Sequence, residues 1–547
     1  MFFNTIPFLS KMVLRLLFLT FVLQLNLVKS QDKPKLFIGL VIDQMRQEYL
    51  IRYHDHFGEG GFKKIIEDGF SFHNHHYNYV PTYTAPGHAS IYTGTTPAVH
   101  GIVANTWFDK KKQASHYCVD DNNYKTVGDE TTAGNKSAAP LKSSTVGDEL
   151  KVASAGKSKV FAVALKDRSA ILPAGHAADG AFWYSSTGKF VSSTYYMNDL
   201  PKWLINFNDQ EHPKALLEKN WTLINNKAAY TNSTKDDHPG EGKLYHEDNS
   251  FPHDLVKSSQ NLENLGVIKA CPQGNTLTRL IAESLIKNEE LGKDEFCDFL
   301  SISFSSIDYI GHAFGPNSIE MEDAIIRLDR ELEAFLTFLD LTLGENQYSL
   351  FLTADHGALQ VPTLLKEHQI PSGLFNHNLA SDLNQYLNKE LATDSLILAV
   401  QNHQVFLNHE EIESTKLDYK TIYSLISNYI YKLEGVYKIL KKNDLLVENY
   451  GTGLNALVQK GFHPQMSGDL WIILEPGWIS HEKTGTTHGS PFNYDTHVPL
   501  IWYGTGIKPG SSTDRVYITD IAPTSSFLIG SPQPNSTEGD ILPIVKK

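Results

Sequence analysis

Residues 81–94 read PTYTAPGHASIYTG, and Thr84 within them is the candidate nucleophile. Pro86 and Gly87 predict a sharp turn, and HASIYTG predicts a helix beginning there, so Thr84 is expected where a strand-side loop meets a helix N-terminus. Backbone N–H groups and the positive end of a helix dipole at such a place favour a phosphate or sulfate. A threonine hydroxyl is a poor nucleophile until a base or a metal activates it. A surface turn followed by a helix explains the stretch equally well when it is taken alone.

The candidate metal and anion ligands come after apolar runs. KLFIGLVI ends at Asp43, KVFAVAL leads to Lys166 and Arg168, DFLSISFSSID ends at Asp308 with His312 four residues on, and YSLFLTADHG carries Asp355 and His356. Continuous apolar runs read as buried parallel strands, and a sheet brings its carboxyl ends to one edge, where α/β folds place their ligands. An Asp and a His four apart at a strand end can ligate one cation, the His as neutral imidazole. Arg168 can fork two oxygens of a small anion while Lys166 supplies a point charge. Asn105, expected after a short apolar strand, can donate its amide to an anionic oxygen, and His488 lies in the Gly-rich GTTHGSPF loop. Each has a plainer reading: Asp43 as a helix cap, Asn105 as a turn residue, the two cations as surface charge. His73, His75 and His76 are explained by alternation along a surface strand and are not counted as ligands.

The elements that must position these groups can be inferred from length and pattern. A chain of 547 residues exceeds the usual single core, so one large α/β domain with insertions, or two closely fused domains, is expected. The fold class expected is α/β, a central, mostly parallel sheet sandwiched by helices. An irregular Trp- and Tyr-rich cap is expected over residues 180–265 and an inserted α/β subdomain with βαβ-like alternation over 360–480. Residues 109–145 read as a loop region. Lys11 and Arg15, followed by LLFLTFVLQLNLV and Ser30, have the form of a signal peptide over residues 1–30, too short to span a bilayer; the domain proper is then 31–547. A periplasmic or secreted protein without stable membrane insertion is expected. With 48 Lys+Arg against 62 Asp+Glu the net charge is −14, which argues against a nucleic-acid polymer as partner. Three cysteines, Cys118, Cys271 and Cys297, allow at most one disulfide and no zinc-thiolate site, so any metal should be held by Asp and His.

Asp43, TAPGH around Thr84, Asp308 with His312, Asp355-His356-Gly357 and HGS at His488 together resemble the alkaline phosphatase superfamily in type, spacing and order. The Thr nucleophile with Asn105 and the Lys166-x-Arg168 pair resembles its PafA-type, phosphate-irrepressible bacterial branch. The resemblance implies two zinc ions, one on Asp308, His312 and His488, the other on Asp43, Asp355 and His356 with Thr84. It also implies a phosphothreonine intermediate, with Asn105, Lys166 and Arg168 binding substrate. A monomer acting on small phosphorylated substrates is expected. A nucleotide pyrophosphatase/phosphodiesterase of the same superfamily is the alternative, typically without the Lys-x-Arg pair. A sulfatase would need a C/S-x-P-x-R motif that TAPGH lacks, and a non-catalytic relative would lack ligands.

Overall fold

A computed structural model describes residues 33–245 and 249–544; the expected signal peptide lies outside the described residues. LFIGLVI has no polar face to offer water, and it forms strand β1 (Leu36–Ile42), buried at every position. The other strands of the main sheet before the insertion are β2 (Phe70–His76), β3 (Thr126–Val127), β4 (Val160–Ala164), β5 (Gly180–Tyr184), β6 (Phe190–Ser193), β7 (Asp298–Phe304) and β8 (Tyr348–Thr353). A second sheet holds β9 (Ile397–Gln401), β10 (Gln404–Leu407), β11 (Val436–Lys441) and β12 (Leu470–Leu474), after which β13 (Leu500–Gly504) and β14 (Gly510–Tyr517) return to the first.

The ten-stranded sheet runs in the order β14, β2, β13, β8, β1, β7, β4, β5, β6, β3. Its centre, β8 to β5, is parallel, and antiparallel pairs flank it on both sides. Register matters most for function. Ile42 lies beside Phe304, Val41 beside Thr353 and Ala164 beside Ser303, so the four central strands stop level and the residues just beyond them share one edge.

The helices that bear on that edge are α1 (Thr84–Thr93), α2 (Asp167–Ala174), α3 (Gln273–Asn288), α4 (Ser306–Phe314) and α5 (Ile319–Thr342). All ten residues of α1 are buried, as befits a helix without a polar stripe. It lies directly on the sheet because Gly39 has no side chain: a Cβ there would stand 2.5 Å from the Tyr92 hydroxyl and 2.8 Å from the Phe351 ring. The Ser301 hydroxyl of β7 donates to Tyr92 at 2.7 Å and fixes the helix in register.

Three expectations about the elements change. The stretch read as an irregular cap begins with β5 and β6, both fully buried, and continues into helices at Lys202–Asp209 and His212–Leu217. A strand buried on both faces shows no alternation, so GAFWY and FVSS carry no period-two signal. Residues 109–145, read as loop, share a hairpin pairing Thr106–Asp109 with Ala114–Tyr117. The inserted sheet, ordered β9, β10, β12, β11, is antiparallel throughout rather than βαβ-like. It packs on Leu383, Leu387, Ile422 and Ile426 of its own helices. Among the described residues the three cysteines form no disulfide. Among the described residues no helix is long and apolar enough to cross a membrane.

Candidate active site

Thr84 is the first residue of α1 rather than part of the loop before it, and Pro86 and Gly87 lie inside the first turn. Proline is tolerated there because its missing N–H has no intrahelical partner to lose. Gly87 is required by contact, since a Cβ would fall 2.5 Å from the Asp355 carbonyl oxygen. The helix end offers fewer N–H groups to an anion than expected: Ala85 N–H donates to Asn105 Oδ1 at 2.8 Å and Gly87 N–H to Tyr83 O at 2.9 Å. Anion binding therefore passes to side chains. With its oxygen held by Ala85, Asn105 keeps its –NH₂ as the donor, although it precedes a strand (Thr106–Asp109) instead of following one.

Asp43 comes directly after β1, its N–H donating to Phe304 O at 3.1 Å. Asp355 and His356 come after β8, and both are fully buried. Asp308 does not end β7; it lies in the first turn of α4 with His312 one turn later, and spacing by four puts both on one helix face. His312 Nε2 is 3.2 Å and His488 Nε2 3.6 Å from Asp308 Oδ1. His356 Nε2 is 3.6 Å from both Asp43 Oδ1 and Asp355 Oδ2, and 3.4 Å from Thr84 Oγ1. The rings of His356 and His488 stack with centroids 3.4 Å apart.

The imidazoles share one arrangement. Nδ1 of His312 faces Thr486 O at 2.8 Å, that of His356 Gly357 O at 3.0 Å and that of His488 Thr82 O at 2.7 Å. A carbonyl only accepts, so each Nδ1 carries a proton. At His356 and His488 this leaves the Nε2 lone pair facing the carboxylates. At His312 burial is outweighed by Asp308, which raises its pKa and favours a second proton on Nε2 in the metal-free site.

Charge is unbalanced here. Three buried carboxylates meet one ammonium, Lys166 Nζ, at 2.6 Å from Asp43 Oδ2 and 2.5 Å from Asp308 Oδ2. Burial, then repulsion from Asp355, pushes the Asp43 carboxyl well above its usual range. Burial likewise raises Asp355 to about 6. Burial opposes ionisation of Asp308 too, but His312 and Lys166 more than offset it and hold its carboxyl well below the ordinary value. Burial and the neighbouring His312 lower His488 to about 3, and burial with His488 lowers His356. Asp43 Oδ1 and Asp355 Oδ2 are buried without a hydrogen-bond partner. Unpartnered carboxylate oxygens and neutral imidazole lone pairs suit a divalent cation of the zinc type. Two sets bring their ligand atoms within 4.8 Å of one another: Asp308, His312 and His488, and Asp43, Asp308 and His356. Asp308 thus joins both sets, and Asp355, expected in the second, stands at its border.

Of the two cations expected to converge on one anion, Arg168 reaches the nucleophile, its Nη2 lying 3.5 Å from Thr84 Oγ1. Lys166 sits one step away on the carboxylates, where a buried ammonium finds opposite charge. Arg168 is braced by Tyr117, which accepts from Nη1 at 3.1 Å and donates to Asp167 Oδ1 at 2.5 Å; Lys136 pairs with Asp167 at 3.3 Å. His75 and His76 stand apart from the site, His75 on Val498 O and His76 stacked on His497.

No sequence pattern singles out Gln44. It is buried with φ +67°, its N–H donates to Asp355 Oδ1 at 3.1 Å, and its Nε2 donates to Asp308 Oδ1 at 2.7 Å. A left-handed non-glycine residue costs on the order of 1–3 kcal/mol, and two hydrogen bonds to carboxylates at about 1.5–3 kcal/mol each outweigh it. Gln44→Gly keeps that backbone accessible while removing the amide. It is expected to weaken metal affinity about 10- to 100-fold, as for other partners that orient a ligand. Unchanged affinity in a chelator competition would show that the amide orients nothing. His88 is a second such residue, bonded to Thr84 O and Ser303 Oγ at 3.0 Å each and lying 3.3 Å from Asp355 Oδ2.

The family model described as type I phosphodiesterase / nucleotide pyrophosphatase matches residues 37–498. The chain is 41% identical to alkaline phosphatase PhoV of Synechococcus elongatus, covering 93% of this chain and 92% of that protein. It is 39% identical to alkaline phosphatase PafA of Elizabethkingia meningoseptica, covering 97% and 98%. The crystal structure of wild-type PafA superposes with a TM-score of 0.91 at 38% identity, over 95% of this chain and all of that one. With the sheet-edge cluster of Asp, His and Thr on the same fold, the chain belongs to the type I phosphodiesterase / nucleotide pyrophosphatase family of the alkaline phosphatase superfamily, among its PafA-type alkaline phosphatases.

Proposed function

We propose that this enzyme hydrolyses phosphate monoesters to inorganic phosphate through a phosphothreonine at Thr84, with two zinc ions held by Asp43, Asp308, His312, Asp355, His356 and His488. The observation that carries the reading is Arg168 beside the nucleophile, braced by Tyr117 and Asp167, with Lys166 next to it. Paired cations suit the charge on a transferring phosphoryl group, and a diester has one charge fewer to offer them.

In this reading the Thr84 oxygen attacks phosphorus, the bond from phosphorus to the ester oxygen breaks, and the alcohol departs with a proton. Water then attacks the phosphothreonine, releasing phosphate and restoring the hydroxyl. Arg168, whose Nη2 lies 3.5 Å from Thr84 Oγ1, and the Asn105 amide orient the nonbridging oxygens. Lys166 reaches the same oxygens when Asp43 and Asp308 are otherwise engaged, because its four-carbon stem is flexible. When bound, the zinc ions supply Lewis acidity, lowering the pKa of a nucleophilic hydroxyl and neutralising charge on a leaving oxygen. The mature enzyme is proposed to act as a monomer on small phosphorylated substrates, and the leader-like pattern around Lys11 and Arg15 supports the periplasm or the outside of the cell as its place of action.

Purified enzyme is expected to contain about two zinc ions per chain, to lose activity on chelation and to regain it with zinc. It should favour a monoester over a diester bearing the same leaving group. Fewer than about one zinc per chain with activity indifferent to chelator would refute the metal assignment. A preference for the diester would make the protein a phosphodiesterase.

A further inference from the structure

A cavity of about 370 Å³ opens beside the metal-ligand cluster, between the inserted subdomain and the loop that carries His488. Its walls carry the rings of Tyr83, Phe375, His377, Trp478, His488 and Phe492 among aliphatic side chains. His488 belongs to both places, lining the cavity while its Nε2 lies 3.6 Å from Asp308 Oδ1. Tyr83 links the two in the same way, since it directly precedes Thr84 and meets the His488 ring edge-on at 5.7 Å.

The wall is built rather than incidental. The Trp478 ring passes so close to Gly373 and Gly435 that a Cβ at either would come within 2.6 or 2.3 Å of it. A Cβ on Gly489 would likewise stand 2.5 Å from the Tyr83 ring, and its φ is +121°.

Direction is set by the chemistry. In phosphoryl transfer the attacking and leaving oxygens lie roughly in line on opposite sides of phosphorus. Thr84 attacks from the side of His356 and Arg168, 3.4 and 3.5 Å away. In the proposed mechanism the leaving oxygen falls to the set of Asp308, His312 and His488, and His488 also lines the cavity. A volume near the lower bound of ligand clefts, about 300 Å³, with ring-bearing walls, fits one flat ring system better than a long flexible chain.

We infer that this cavity is a leaving-group subsite, and that the preferred substrates are phosphate monoesters whose alcohol carries a planar aromatic or heteroaromatic ring. The inference rests on the monoesterase function proposed for this enzyme, because it assigns the cavity to the alcohol half of that substrate.

The test compares 2-phenylethyl phosphate with ethyl phosphate, two alkyl esters that differ in the ring and little in the reactivity of the ester oxygen. Wild-type enzyme is expected to show a kcat/KM at least about tenfold higher for the ring-bearing ester, as ring stacking in other sites suggests. Phe492→Ala and His377→Ala, both outside the packed cores, should each pull the ratio of the two kcat/KM values toward one. The ratio does not depend on the active fraction of a preparation, so partial misfolding cannot imitate this result. A wild-type ratio near one, or a ratio that neither variant moves, overturns the subsite. Failure of the wild type to hydrolyse either ester would refute the monoesterase reading instead.

Discussion

Thr84→Ala is expected to lower monoesterase kcat/KM by roughly 10⁴- to 10⁶-fold, the range seen when a covalent nucleophile or its partner is deleted. Nothing adjacent can replace the hydroxyl. Its neighbours within 3.5 Å are an imidazole and a guanidinium, the first an expected metal ligand and the second a permanent cation. Thr84→Ser should retain a measurable part of the activity, because it keeps the oxygen at the first position of α1 while losing only the methyl group that restricts its rotamer. Acid quench and mass spectrometry should find phosphate on the peptide containing Thr84. Label on another residue, or an Ala variant with substantial turnover, would remove Thr84 from the mechanism.

Loss of the cation pair should separate two substrate classes. Lys166→Ala and Arg168→Ala are each expected to cost monoesterase kcat/KM about ten- to a thousandfold, the equivalent of a charge-assisted contact worth about 1.5–4 kcal/mol, with a much smaller loss on a diester. The structure gives the two variants different side effects. Arg168 is held by Tyr117 at 3.1 Å, so its removal leaves Asp167 paired with Lys136 and the site otherwise intact. Lys166 neutralises Asp43 and Asp308 at 2.6 and 2.5 Å, so removing it raises the negative charge of the cluster and should tighten rather than loosen cation binding. Metal content measured beside the kinetics tells these apart. Equal losses on monoester and diester would mean that the pair acts through folding or metal placement and not through the phosphoryl charge.

The sequence determined much of this by itself. Short apolar runs ending in Asp43, Lys166 and Asp355 fit strands buried on both faces, and a parallel sheet must bring such ends to one edge. Residue type then limited the chemistry: carboxylates and imidazoles without clustered thiols restrict any metal to N and O ligands. Tertiary structure alone decided the rest. Spacing cannot show whether Asp308 and His312 lie on a strand end or a helix face, and four residues serve either; packing placed them on α4. Gln44 has no pattern of its own, since its role depends on a left-handed backbone that aims N–H and amide at carboxylates 264 and 311 residues away. The partner of Lys166 was equally hidden. A lysine in sequence is a charge without an address, and burial beside Asp43 and Asp308 in a low-dielectric cluster gave it one.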